Sequence, residues 1–200
     1  MTQAREPLTD PVAMRALAHP ARLAILNRLQ VEGPATATEV AEVVGITPSA
    51  ASYHLRMLAK YGFAEDAPPR GDGRERMWRG SSAKMSITPE PDDGPEVRAA
   101  KDLLIKAVRD QAADEAARAL SAFDREPGHW RDASVFSRTI LLVGAEELQE
   151  INRRIDELLA PYRITARSRA EAPADARIAE AQVNLFPRAV RRPHGLPRDA

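Results

Sequence analysis

The 200-residue chain contains no cysteine. That excludes disulfides, thiolate metal sites and cysteine nucleophiles, and it fits a reducing compartment. A net charge is missing too. Lys+Arg and Asp+Glu both number 29, so the chain as a whole lacks the basic surplus usual in nucleic-acid binders. No apolar run approaches the ~20 residues of a membrane helix, and the opening MTQAREPLTD has no signal-peptide core. These absences predict a soluble, cytoplasmic protein without a membrane partner. The four histidines, His19, His54, His129 and His194, show no ligand-pair spacing, so no metal and no cofactor is expected. No Gly-x-Ser-x-Gly, His-Glu-x-x-His or phosphate-loop pattern occurs. The adjacent acids Glu146-Glu147 point apart on a helix. An enzyme is therefore not expected.

What is present is an apolar fraction of 44%, enough for a core in one large or two small domains. Residues 1–10 are polar and read as a frayed end. Asp10-Pro11 then opens a helix, a cap followed by proline at the first helical position. The His19-Pro20 step predicts a break near Ala18, with a second helix over about 20–30 that stops at Glu32-Gly33-Pro34. Thr36 with Glu39 three residues on is a capping box. The helix it opens carries Val40, Ala41, Val43 and Val44 as its apolar face and ends at Gly45. Thr47-Pro48 opens the next helix, to about Lys60, which buries Ala51, Leu55 and Leu58. Two short helices joined by a tight turn form a helix-turn-helix.

Residues 63–66 and 74–79 read as two short strands around the turn-rich tip Pro68-Pro69-Arg70-Gly71-Asp72-Gly73. A hairpin directly after a helix-turn-helix is a wing. Residues 88–95 form an acidic, proline-rich linker. A long helix is expected at 96–123, with Val97, Ala100, Leu104 and Ala107 leading its apolar face and Pro127-Gly128 stopping it. Strands are expected at 135–143 and 178–186, flanking a helix at 145–159 and a loop at 163–176. His129-Trp130 reads either as a core-capping tryptophan or as a ligand pocket. The expected fold class is mainly α with a small β-wing. Its parts are a winged helix-turn-helix domain at 11–87, a dimerisation helix at 96–125, a small α/β module at 130–187 and a disordered tail at 188–200.

A helix fits the DNA major groove, and the residues near its start must be small or polar to approach base edges. Here they are Thr47, Ser49, Ala50, Ser52 and Tyr53, with Arg56 one turn beyond Ser52. The wing residues Arg70, Arg74 and Arg76 are placed to track the phosphate backbone or enter the minor groove. Between Pro48 and Lys84 basic residues outnumber acidic ones, so charge is local where the whole chain is neutral. Arg22 reads as a helix brace or a phosphate contact. Leu55, Leu58 and Phe63 read as core.

The ordered string ALAHPARLAILNRL, TATEVAEVVGITPSAASYHLRMLAKYGF and an arginine-rich wing resembles winged-helix regulators of the ArsR type. The resemblance covers about residues 16–79. It rests on Leu17 through Leu26 in the first segment and on Ser52, His54, Leu55 and Leu58 in the second. It implies a winged helix-turn-helix fold, DNA binding and a DNA-facing position for His54, which otherwise reads as a packing histidine. The sensor cysteines of many relatives are missing from residues 38–44, and residues 96–123 hold no histidine. The expected function is a sequence-specific DNA-binding regulator, a repressor, acting as a homodimer on double-stranded DNA with a pseudo-palindromic operator. There is room for a small-molecule effector. The alternative is a winged-helix protein-interaction module without direct DNA binding.

Overall fold

The computed structural model describes residues 6–70, 75–81, 85–87 and 89–188. The chain divides into two compact units, Met1–Ser134 and Val135–Ala200.

The first unit opens with a two-residue strand, β1 (Glu6–Pro7), paired in parallel with β4 (Met85–Ser86). Residues 6 and 7 are thus tied down, against the expectation of a frayed end. Helix α1 (Pro11–Leu17) starts where the Asp10 carboxylate accepts from Val12 N at 2.8 Å. Helix α2 (Pro20–Glu32) is capped by His19, whose Nδ1 accepts from Ala21 N at 3.2 Å. The predicted break therefore exists, and it has a histidine cap. The capping box of α3 (Ala37–Val44) is complete. Thr36 Oγ1 accepts from Glu39 N at 3.2 Å, and Glu39 Oε2 accepts from Thr36 N at 2.7 Å. Gly45 ends the helix at φ 73°, a left-handed conformation that costs glycine little. Thr47 then caps α4 (Pro48–Lys60) by accepting from Ala50 N at 3.2 Å.

The wing pairs β2 (Ala64–Ala67) antiparallel with β3 (Met77–Gly80), in the register Glu65 to Arg79 and Asp66 to Trp78. β2 begins one residue later than expected, after the core residue Phe63, and β3 begins at Met77. Phe63 N donates to Leu58 O at 2.9 Å and closes the end of α4. Ala35 adds a bridge on the other side of β3 by exchanging two backbone hydrogen bonds with Trp78, at 2.9 and 2.8 Å. The core of the unit gathers Met14 and Leu17 of α1, Ile25 and Leu29 of α2, Val40 and Ala41 of α3, and Ala51, Leu55 and Leu58 of α4. Val43, expected on the same apolar face as Val40, is 56% exposed.

Helix α5 (Pro95–Ala122) is 28 residues long, about 42 Å at 1.5 Å per residue. Only its start is covered: Ala100, Lys101 and Leu104 are buried, and no later residue of it is. The apolar spacing further along, at Ala112, Ala116 and Leu120, does not meet the core. A cleft of about 760 Å³ opens between α5 and the α2–α3 pair, with Leu23, Val31, Val44, Leu103, Lys106 and Asp110 in its walls. Lys101 is a core position that hydrophobic patterning misses. It is 1% exposed, and its ammonium meets both Asp93 carboxylate oxygens at 2.8 and 3.0 Å. A buried lysine needs such a partner. Past a 3₁₀ turn at Phe123–Arg125, a short helix α6 (Gly128–Ala133) begins at the glycine expected to end α5. Trp130 is half-buried there beside His129 and lies outside the core.

The second unit contains helix α7 (Ala145–Leu159), where the sequence places it. Glu147 Oε2 accepts from Gly144 N at 2.7 Å at its start. The strands expected at 135–143 and 178–186 are not formed. Neither segment makes ladder pairs, and the sheets among the described residues all lie in the first unit. A strand needs a ladder partner for its N–H and C=O groups, and within one copy neither segment pairs with the other. The predicted α/β module therefore holds its helix without its sheet. From residue 189 on, the expected tail lies outside the described residues.

Candidate nucleic-acid interface

Helix α4 sorts its residues by the 3.6-residue period. Ala51, Leu55 and Leu58 are buried and hold the helix onto α2 and α3. Ser49, Tyr53, Arg56 and Lys60, at alternating spacings of four and three, are all exposed. They form a stripe opposite the buried one, with Tyr53 at 52% exposure. Ala50, Ser52 and His54 are half-buried on the flanks. Thr47 is exposed, and its hydroxyl is engaged in the helix cap. Lys60 lies in the outward stripe and was not among the site residues inferred from sequence. Its Nζ sits 5.3 Å from the Tyr61 ring centroid. The spacing from Arg56 would have found it.

His54 turns toward α2. Its ring lies 4.9 Å from that of His19 and 5.3 Å from that of Tyr53. Its Nδ1 is buried without a hydrogen-bond partner among the described residues. Burial, then the neighbouring His19 and Arg22, push the His54 pKa below the ordinary histidine value. Burial and then Arg22 do the same to His19. Both shifts favour the neutral imidazole. Arg22 braces α1, its Nε donating to Ala16 O. Among the described residues no three His, Asp or Glu side chains gather as metal ligands.

Ser52 and Arg56 share a second cleft, of about 240 Å³, with Thr36, Thr38, Arg76 and Trp78. It brings the recognition helix, the start of α3 and the wing together. The wing arginines are held by acids. Arg76 is bidentate to Asp66, at 2.5 and 3.0 Å, and its guanidinium lies 4.0 Å from the Trp78 ring centroid. The Arg76 hydrogen bonds keep the Asp66 carboxyl below its usual range. Arg70 pairs with Glu39 at 2.9 Å and donates to Pro34 O at 2.5 Å. Arg79 pairs with Glu65 at 3.0 Å. Arg74 lies outside the described residues. Arg56 has no carboxylate partner among the described residues and is the exposed cation nearest the start of α4.

Residues 17–66 match the family model of a helix-turn-helix domain. With the hairpin that follows, the first unit is a winged helix-turn-helix fold, mainly helical with a small antiparallel sheet. The matched family is a helix-turn-helix family and not an enzyme family. Comparison with curated proteins finds no match. Among solved structures the chain is similar to reduced HlyU from Vibrio cholerae N16961. Identity there is 24%, over 48% of this chain and 83% of that one, with a TM-score of 0.30. It is also similar to the homodimeric winged helix-turn-helix DNA-binding domain of Mb0332 from Mycobacterium bovis, a possible ArsR-family transcriptional regulator. Identity is 26%, over 53% and 84% of the two chains, with a TM-score of 0.32. ZitR from Lactococcus lactis is 18% identical over 72% and 83%, with a TM-score of 0.33. Among the described residues no helix is long and apolar enough to cross a membrane.

Proposed function

We propose that this protein is a sequence-specific DNA-binding transcriptional regulator that acts as a homodimer on a pseudo-palindromic operator and represses by occupying it. The observation that carries this reading is the two-sided construction of α4. Its buried stripe anchors the helix, and its opposite stripe, Ser49, Tyr53, Arg56 and Lys60, stands in solvent. A helix held this way presents small polar and cationic side chains to a groove about 12 Å wide. The match of residues 17–66 to a helix-turn-helix domain supports it.

On this reading the DNA-binding domain spans residues 11–87. Ser49, Ser52, Tyr53 and Arg56 read base edges, Thr47 and Ala50 let the helix start approach closely, and Lys60 and the wing arginines Arg70, Arg74 and Arg76 hold phosphates. His54 positions Tyr53 from behind, since its Nδ1 is buried. The helix at 96–125 joins two copies. Most of its length is uncovered within one copy, as a dimerisation helix requires. The two recognition helices then stand about 34 Å apart, one DNA turn. An effector would act by changing that separation.

The test is selection of bound sequences from random duplex DNA, followed by titration of the winner against salt. The expected result is a two-fold symmetric site whose affinity falls steeply with salt, because neutralised phosphates release counterions. Absence of enrichment for any sequence, with no salt-dependent DNA shift, would refute the reading and favour a protein-interaction module.

A further inference from the structure

We propose that His19 and His54 form an acid-sensitive pair behind the recognition helix, which loosens the seat of α4 as pH falls through the histidine range. Its effect on DNA rests on the reading of α4 given above. The loosening itself does not.

The pair joins two helices. His19 caps the start of α2, His54 lies on the half-buried flank of α4, and their ring centroids are 4.9 Å apart. A charged imidazolium carries an N–H on both ring nitrogens, so charging either ring puts a donor on its Nδ1. In His19 that nitrogen accepts from Ala21 N at 3.2 Å. Protonation there sets a donor against a donor, and the cap of α2 is lost. In His54 the Nδ1 is buried with no hydrogen-bond partner among the described residues. Protonation there seals a charged N–H away from any acceptor, which is costly.

The surroundings do not compensate. Arg22 acts on both rings, and His19 acts on His54. Arg22 is held in place by its bond to Ala16 O. Tyr53 on α4 and Tyr61 just after it face Arg22. No carboxylate of α1, α3 or the wing acts on either histidine. Charging both rings therefore packs His19, His54 and Arg22 as like charges where α2 meets α4, and like charges repel. Tyr53 lies 5.3 Å from the His54 ring and belongs to the outward stripe, so a displaced His54 moves a side chain on the proposed DNA face. His19 is exposed, and solvent protons reach the pair directly.

The direction with pH follows. Burial holds both rings below the ordinary histidine value, so the folded chain binds fewer protons than the unfolded one. Their contribution to stability is complete above the unfolded pKa, about 6.5, and is lost as pH falls from there toward the folded values.

The test is urea unfolding of the full chain at about pH 7.5 and about pH 5.5, on either side of the ordinary histidine pKa. The folding constant of the parent is expected to fall about 2–30-fold between them, the worth of one helix cap. His19→Asn keeps a capping side chain that cannot be charged and is expected to lose most of that fall. Adding His54→Gln is expected to remove the remainder. His129 and His194 stay in every variant as internal controls. Each variant is compared with itself at the two pH values, so a lower starting stability does not decide the result, and His19→Asn alone suffices if the double variant does not fold. A fall undiminished in His19→Asn overturns the proposal, as does a parent that shows none. In titrations with duplex DNA at fixed salt, the parent is expected to lose affinity relative to His19→Asn over the same range. An unchanged ratio, with DNA bound, also overturns the proposal. No DNA binding at either pH counts against the reading of α4 alone, and the unfolding result then decides the switch.

Discussion

The two units use apolar residues in opposite ways. In the winged unit, nineteen buried hydrophobic side chains among the described residues converge from α1–α5, the wing and the links at Ala35 and Phe63, and α1–α4 each start on a side-chain cap. In the second unit no residue of α7 is buried, and Ile140, Leu142, Leu158, Ile178 and Phe186 face solvent. Composition does not separate the two. The difference is whether the chain supplies a second surface for each apolar face. Helices α2, α3 and α4 cover one another, whereas the extended segments at 135–143 and 178–186 need a ladder that one copy does not build.

The contrast is sharpest in stability. Leu55→Ala should cost about 2–5 kcal/mol, the loss of a fully buried leucine plus its cavity, whereas Leu158→Ala should stay within about 0.5 kcal/mol. Thermal or urea unfolding of the two variants checks this, and equal losses would erase the distinction between the units. Next in size, Arg56→Ala should weaken operator binding by about 1–3 kcal/mol and relax specificity at one base position. Lys60→Ala should weaken all sequences alike and lower the salt slope by about one. Binding titrations at several salt concentrations separate the two roles. Thr36→Ala removes a capping-box hydroxyl and should cost about 1 kcal/mol, read as a lower unfolding midpoint.

Smaller effects come from the ion pairs. Asp66→Asn frees the Arg76 guanidinium and should tighten DNA binding a few-fold at low salt, with the gain fading as salt rises. Asp93 gives the pH prediction. The Glu90 N–H and then Lys101 hold its carboxyl below the ordinary value. A depressed folded-state pKa contributes stability that is present above the unfolded pKa, about 3.9, and is lost as pH falls through the folded value. Melting points measured from pH 7 down to pH 3 should therefore fall less steeply in Asp93→Asn than in the parent, from a lower starting point.

Much of the winged unit was legible in advance because its signals are local. Asp10, Thr36 and Thr47 cap helices within three residues of themselves, and Ala51, Leu55 and Leu58 form a stripe within one helix. The contacts that escaped are long-range. Arg70 meets Glu39 across 31 positions, and Trp78 bridges to Ala35. Lys101 is buried against expectation because Asp93, eight residues earlier, folds back over it. On the candidate interface the sequence position of Ser49, Tyr53 and Arg56 near the start of α4 already implied side chains that turn outward, and all three are exposed. The acid pairing of the wing arginines was not implied, since cross-strand partners depend on register.

By itself the amino-acid order determined which stretches become helices and which side of α4 turns inward, because capping and the 3.6-residue period act over a few neighbouring residues. Tertiary structure alone decided which apolar faces find cover, which cations keep an acid and which polar groups are sealed from water. Those outcomes depend on what distant parts of the chain bring alongside, and desolvation and pairing are settled only there.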